Sequence, residues 1–417
     1  MQRNQKLKVD VFTIVIYVIL LFLGLISISS SSYDGLVLID FSTSTIVGKQ
    51  FIFIIFSMFL GNLILFLDGK LFVRFGYFFY FFSILSLVFV LIFGKEVGGA
   101  KAWFSFGQFG LQPAEFAKLA TILAIAKFIH DKDIYLNTFK NLLIIIFFLL
   151  PPIFLILLQP DAGSALVFGG LIVVFYREGL QLRYIFTVII LILLSFSTLF
   201  FGVSKSIIFL ILVTIFLTYI FKKQKGKFLI SLIFFITCTL IVTGVNYTYE
   251  NILEPHQRVR IDIITGKTEN KLGAGYNLNQ SLIAIGSGGA FGKGYLEGTQ
   301  TKGNFIPEQN TDFIFCTVGE EFGFFGCFVL ITLFATLIIR ILILSEKQTT
   351  RFNRIIGYAI SSIISIHVII NIGMTIGLVP VIGIPLPFLS YGGSSMLAFS
   401  IMLFLFLKLD SLRNERF

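Results

Sequence analysis

The chain has 417 residues, of which 56% are hydrophobic and only 13% charged, with 52 phenylalanines and a net charge of +10. A soluble domain carries about 25% charged residues, so a soluble fold has nowhere to place this much apolar surface, and disorder is excluded because disordered chains are polar and poor in aromatics. Basic residues sit mostly in short loops between apolar runs rather than in an aromatic-interleaved patch, which points to membrane topology and away from nucleic acid.

Twelve apolar segments follow in chain order, at about 11–30, 46–67, 71–93, 114–130, 141–158, 162–178, 184–202, 204–221, 228–246, 312–342, 355–379 and 388–409. The first is long for a secretory leader and is followed by many others, so it reads as a retained helix. Several approach the ~20 residues that cross a bilayer. Barrel-type alternation is absent, so the backbone has to satisfy itself as helices. The expected class is an all-α polytopic membrane protein forming one integral membrane domain over 1–417. With the N-terminus inside, 21 of the 32 Lys and Arg residues fall on the inner side, which predicts that both termini are cytoplasmic. Segments 204–221 and 228–246 form a hairpin across Lys222–Lys227. A long outer loop over 246–311 is not of low complexity and is expected to be ordered, with an amphipathic helix near Tyr276–Ile285 lying in the interface. The outer segment Gly94–Pro113 carries the only tryptophan, Trp103, at headgroup depth.

Ionisable residues in or beside apolar spans cost at least ~2.5–3.5 kcal/mol each at mid-membrane. Glu115 and Lys118, at i and i+3 after Gln112-Pro113, share a helix face and are either a structural ion pair or part of a wet cavity. Asp161 reads first as the N-cap of the next span. Asp312 ends Pro307-Glu308-Gln309-Asn310-Thr311-Asp312 at the outer start of a helix, where Asn310 or Thr311 can cap in its place. Glu320 and Glu321 lie further in; one of them is expected to face a partner helix, and neither is given a catalytic role. Gly286–Gly294 fails the phosphate-loop pattern, since Gly294 follows Lys293, and reads as a backbone hinge. Cys238, Cys316, Cys327 and the scattered His130, His256 and His367 show no metal-ligand spacing.

In order along nearly the whole chain, these motifs resemble the SEDS family of cell-wall polymerases, the RodA/FtsW group. The matching stretches are Gly99–Trp103, Leu111–Lys118, Gln159–Gly163, Gly273–Tyr276 with Gln280–Gly289, Pro307–Phe315, Gly319–Glu321 and Pro385–Ser394. Gln257-Arg258, Ile261 and Gly298–Thr301 look more like the elongation branch than the division branch. The resemblance implies a SEDS-type helical bundle of ten spans, which makes the 204–246 hairpin an insertion. It also implies polymerisation of peptidoglycan glycan strands from lipid II, with β-1,4 bonds formed and undecaprenyl diphosphate released at the outer face of the bacterial cytoplasmic membrane. By matching motif, Asp312 would be the general base. Lys118, Arg258 and Lys293 would neutralise the diphosphate, Glu115 would shape the cavity floor with Lys118, and Asp161 would support its wall. Implied companions are a class B penicillin-binding protein and other elongation-machinery membrane proteins. A divalent cation (Mg²⁺ or Mn²⁺) could share the task, with its ligands unassigned, and no organic cofactor is expected. Rival readings are a flippase for the lipid-linked precursor, a division-type polymerase and a non-catalytic scaffold.

Overall fold

A computed structural model describes residues 9–33, 40–107, 109–220, 227–267 and 275–413. The basic link 222–226 and the pair Gly273-Ala274 of the sequence reading lie outside them. Each of the twelve apolar segments contains helix among the described residues. Among the described residues nine helices are long and apolar enough to cross a membrane.

The first of two compact units comprises 1–180 and 277–417. It opens with α1 (Val11–Ser31), α2 (Ile46–Phe66), α3 (Gly69–Arg74) and α4 (Gly76–Phe93). The expected single segment over 71–93 is thus two helices, divided at Phe75. Next come β1 (Lys95–Val97), β2 (Ala100–Phe106) and β3 (Phe109–Leu111), an antiparallel meander in the order β1-β2-β3. The sequence reading treated this stretch as loop. Its first turn is the two-residue Gly98-Gly99, with φ of 61° and 85°, between the paired Val97 and Ala100. Two adjacent positive φ angles are what a tight hairpin demands, and glycine adopts them without strain.

Then follow α5 (Pro113–Lys132), α6 (Phe139–Leu157), α7 (Ala162–Val167), a 3₁₀ turn at Phe168–Leu171 and α8 (Ile172–Arg177). α5 is not among the nine apolar spans because it carries Glu115, Lys118, Lys127, Asp131 and Lys132. The second unit, 181–276, contains α9 (Leu182–Phe201), α10 (Val203–Ile220), α11 (Lys227–Tyr247), a π-turn at Thr248–Ile252 and α12 (Pro255–Ile264). Leu194 of α9, Leu210 of α10, and Cys238 and Val242 of α11 form its core. The two helices of the expected hairpin therefore pack with α9 as a three-helix group.

The first unit resumes with α13 (Tyr276–Ser287), α14 (Thr299–Lys302), α15 (Ile314–Glu346), α16 (Arg351–Thr375) and α17 (Gly393–Ser411). α13 occupies the expected amphipathic stretch, with Leu278, Ser281 and Ala284 turned inward. α16 and α17 are the centre of this unit: 72% and 78% of their apolar windows are buried inside the protein, against 22% for α4 and 17% for α6. α5, α15 and α17 all pack on α16.

α15 is broken at Gly323, whose φ of 63° and ψ of −158° fall where essentially only glycine is found. The Gly-rich segment before α14 repairs the break. Lys293 N and Gly294 N donate to Glu320 O and Glu321 O at 3.0 Å each, while Phe324 N and Phe325 N donate to Gly289 O and Ala290 O at 2.9 and 3.1 Å. Broken backbone at membrane depth has to find such partners. The segment read as a hinge is therefore a splice. A Cβ on Gly323 would stand 2.3 Å from Gly292 N. Gly323→Ala is expected to cost more than the ~1–3 kcal/mol of backbone strain alone, because the splice must also open. The fraction of monodisperse protein recovered in detergent checks this; wild-type recovery and melting would refute it.

Candidate functional site

α5 starts with Pro113 at its first position, which suits a residue lacking a backbone N–H. One turn in, Lys118 Nζ donates to Glu115 Oε1 at 2.7 Å, with both side chains buried. Lys118 Nζ also lies 3.0 Å from His367 Nε2 on α16 and 5.5 Å from the centroid of the Phe399 ring on α17. His367 Nδ1 is 3.1 Å from the carbonyl oxygen of Pro385. A carbonyl only accepts, so the imidazole proton belongs on Nδ1, and Nε2 is left to accept from the ammonium. The group is a Glu⁻–Lys⁺ pair completed by a neutral histidine.

Asp161 caps α7, as its position predicts, accepting from Ser164 N at 2.9 Å. Its other oxygen accepts from Gln112 Nε2 at 2.8 Å. Gln112 N in turn donates to Ser394 Oγ at 2.9 Å, at the start of α17. The wall beside α5 is thus joined to α7 and α17 through two adjacent polar contacts.

Asp312 lies in a turn two residues before α15, whose cap residue is Phe313. Neither Asn310 nor Thr311 caps the helix. Asn310 instead accepts from Ser31 Oγ at the end of α1, and Thr311 Oγ1 donates to Glu308 Oε2 at 2.7 Å. The turn is fastened residue by residue. Gln309 Nε2 donates to Ser31 O at 2.7 Å. Tyr391 N donates to Asn310 O at 2.8 Å. Ser390 Oγ donates to Thr311 O at 2.6 Å, and Asn371 Nδ2 to Asp312 O at 2.8 Å. Phe313 anchors the far side in a core with Ala284, Ile306 and Cys316. The half-buried Asp312 carboxylate faces Gly383: Oδ2 lies 3.4 Å from where a Cβ would stand on that residue.

Lys293 is paired. Its Nζ donates to Glu320 Oε1 at 2.8 Å and to Thr299 Oγ1 at 2.7 Å. Glu320 also accepts from Gln300 N and Thr301 N at 2.9 Å each, so it closes the N-terminus of α14. Glu321 accepts from Ser30 Oγ of α1, the partner helix expected for one of this pair. Arg258 belongs to the second unit, where its Nε donates to Leu253 O at 2.8 Å. Among the described residues no group of three or more His, Cys, Asp or Glu side chains comes together as a metal cage.

The site residues missed by the sequence reading are His367 and Asn371. Both lie inside what read as a plain apolar span. The available signal was two polar residues four apart on a hydrophobic helix, a spacing that puts them on one face where lipid would penalise them.

A family model described as "Cell cycle protein", spanning FtsW, RodA and SpoVE, matches residues 11–205 and 202–415. The peptidoglycan glycosyltransferase RodA of Treponema pallidum is 33% identical over 338 residues, covering 75% of this chain and 77% of its own length. The peptidoglycan glycosyltransferase MrdB of Escherichia coli is 33% identical over 320 residues, 76% of this chain and 73% of its own. A chain from a solved peptidoglycan synthase complex, described as coordinating polymerization and crosslinking, superposes with a TM-score of 0.74. It is 26% identical, and the match covers 99% of this chain and 100% of that one.

Proposed function

The chain belongs to the FtsW/RodA/SpoVE family of cell cycle proteins, and from that premise we propose that it is a multi-pass membrane peptidoglycan glycosyltransferase that polymerises glycan strands from lipid II. Its 33% identical relatives carry the names RodA and MrdB, which favours the elongation-type activity over the division type.

The donor sugar is α-linked to a lipid diphosphate and the product bond is β-1,4. One in-line displacement inverts the anomeric centre, with diphosphate as an already competent leaving group, so one base suffices where most glycosidases use two carboxylates. Asp312 takes the proton from the acceptor 4-hydroxyl, a step worth 10²–10⁴-fold in such reactions. The observation that supports this role is its seating: buried donors hold the carbonyls of Thr311 and Asp312, while the partly buried Asp312 side chain faces Gly383. Such fixed placement is what general-base catalysis needs.

Asp161 supports the wall beside α5. Glu115 and Lys118 shape its floor; with the ammonium fully buried and committed to Glu115 and His367, Lys118 acts through that shape rather than by contact with diphosphate. Lys293 is likewise held by Glu320, and neutralisation of the diphosphate by Arg258 is carried by the family resemblance alone. A divalent cation belongs to the reading only as a companion of the diphosphate, since Mg²⁺ commonly uses substrate phosphates with one or two carboxylates, and no step here runs through it. The excess of Lys and Arg on one side of the spans supports a cytoplasmic-membrane protein with both termini inside and the reaction outside. The likeness to a chain of a synthase complex supports a class B penicillin-binding protein as partner, with other membrane proteins of the elongation machinery around them.

The test is to purify the protein with a transpeptidase-blocked class B partner, add labelled lipid II and resolve the products by electrophoresis. A ladder of glycan strands is expected. No ladder from a verified complex across several divalent cations, together with lipid II translocation in liposomes, would replace this reading with the flippase.

A further inference from the structure

α16 carries two buried polar side chains four residues apart, His367 and Asn371, exposed by 1% and 0%. They hold the carbonyls of consecutive residues in the segment between α16 and α17: His367 faces Pro385 O, and Asn371 Nδ2 donates to Ile384 O at 2.7 Å. The second hydrogen of the same amide nitrogen goes to Asp312 O at 2.8 Å. An amide nitrogen has two hydrogens, so both are used. The other end of the side chain, Oδ1, is buried with no hydrogen-bond partner among the described residues.

That asymmetry is informative. A buried acceptor left unpaired is a cost, and an apolar side chain would avoid it. The N–H pair is what this position supplies, and it joins two carbonyls distant in sequence. One belongs to Asp312. The other belongs to Ile384, next to Gly383, which the Asp312 carboxylate faces.

We propose that Asn371 is a positioning residue for the glycosyl-transfer step: by bridging Asp312 O and Ile384 O it fixes the backbone that aims the Asp312 carboxylate. The inference rests on the reading of Asp312 as the base. Asp312 lies in a turn outside the regular helix, so side-chain donors such as Ser390 and Asn371 set its place. Misplacing a reacting group by 1 Å can cost ~10²-fold in rate.

The experiment measures kcat and KM for strand synthesis by the intact protein with its class B partner, using lipid II. Asn371→Leu keeps the number and branching of side-chain heavy atoms and removes both donors. It is expected to lower kcat by about 10–100-fold, with KM within about two-fold, the signature of an interaction that matters in the transition state. Combined with Asp312→Glu, which displaces the carboxylate, it is expected to cost less than the product of the two separate losses, because both act on one position. If Asn371→Leu does not fold, Asn371→Ser, which keeps a single donor, is measured in the same way and should show a smaller fall in kcat. An unchanged kcat, a loss carried by KM, or fully multiplicative losses would each overturn the proposal. Asp312→Ala in the same assay separates the two levels. If it keeps the wild-type rate, the base assignment fails; if it abolishes the rate while Asn371→Leu leaves kcat unchanged, only the positioning role fails.

Discussion

Asp312→Asn is expected to lower the rate of glycan-strand synthesis by ~10²–10⁴-fold, the usual contribution of a positioned general base, while the protein folds and assembles normally. The reason for expecting a clean chemical defect lies in how the residue is held. Asn371 and Ser390 bind the backbone oxygens of Asp312 and Thr311, and Phe313 anchors the turn in a core. These contacts hold the turn through its backbone and through Phe313. The amide is nearly isosteric with the carboxylate but has no basic lone pair of useful strength, so shape survives and proton acceptance does not. Initial rates from labelled lipid II, with a melting curve for each protein, read the two properties separately. A variant within about three-fold of wild type would exclude Asp312 as the base, since removing a general base costs far more. A loss of rate accompanied by an equal loss of folded protein would assign the side chain a structural role instead.

The spans were legible because lipid imposes one rule on every crossing segment: apolar side chains and internally paired backbone. That rule is local, so the apolar runs located the helices, although 71–93 and 162–178 each hold more than one of them. The cap at Asp161 was legible for the same reason, since a cap lies within three residues of the N–H it accepts. What failed to read was non-local. The break in α15 hides in an apolar average, because Gly323 sits between phenylalanines and its repair comes from Gly289–Gly294, thirty residues upstream. No local pattern announces that a glycine-rich segment will complete another helix. The meander after α4 has strands as short as three residues, too short for alternation to register, although Gly98-Gly99 is a hairpin signal in its own right. His367 and Asn371 were passed over because each looks incidental alone. Their meaning depends on Pro385, Ile384 and Asp312 arriving from elsewhere in the chain. The motif containing the proposed base was therefore visible in the sequence, and the structure that aims it was not.

Lys118→Met should have the second large effect, and on a different quantity. Among the described residues the ammonium is the only cation bonded to Glu115, both groups are buried, and Glu115 Oε2 has no donor. Removing one member of a buried pair leaves an uncompensated charge, at a cost of ~3–5 kcal/mol. His367 loses its donor in the same step. The single variant is thus expected to be recovered in much lower folded yield, with a lowered melting temperature. Replacing both members, Glu115→Gln with Lys118→Met, removes the stranded charge and is expected to restore most of the stability, because a buried ion pair contributes little net stability over neutral groups of similar volume. Strand synthesis then decides what the pair is for. A stable double variant that remains slow would mean that Glu115 and Lys118 shape the reacting cavity, or tension the His367–Pro385 link on which the Asp312 segment leans. A stable double variant with wild-type rates would reduce the pair to a structural contact and remove both residues from the site. A single variant as stable as wild type would contradict the buried pair itself, since no lipid-facing or protein-lined environment holds a lone carboxylate without cost.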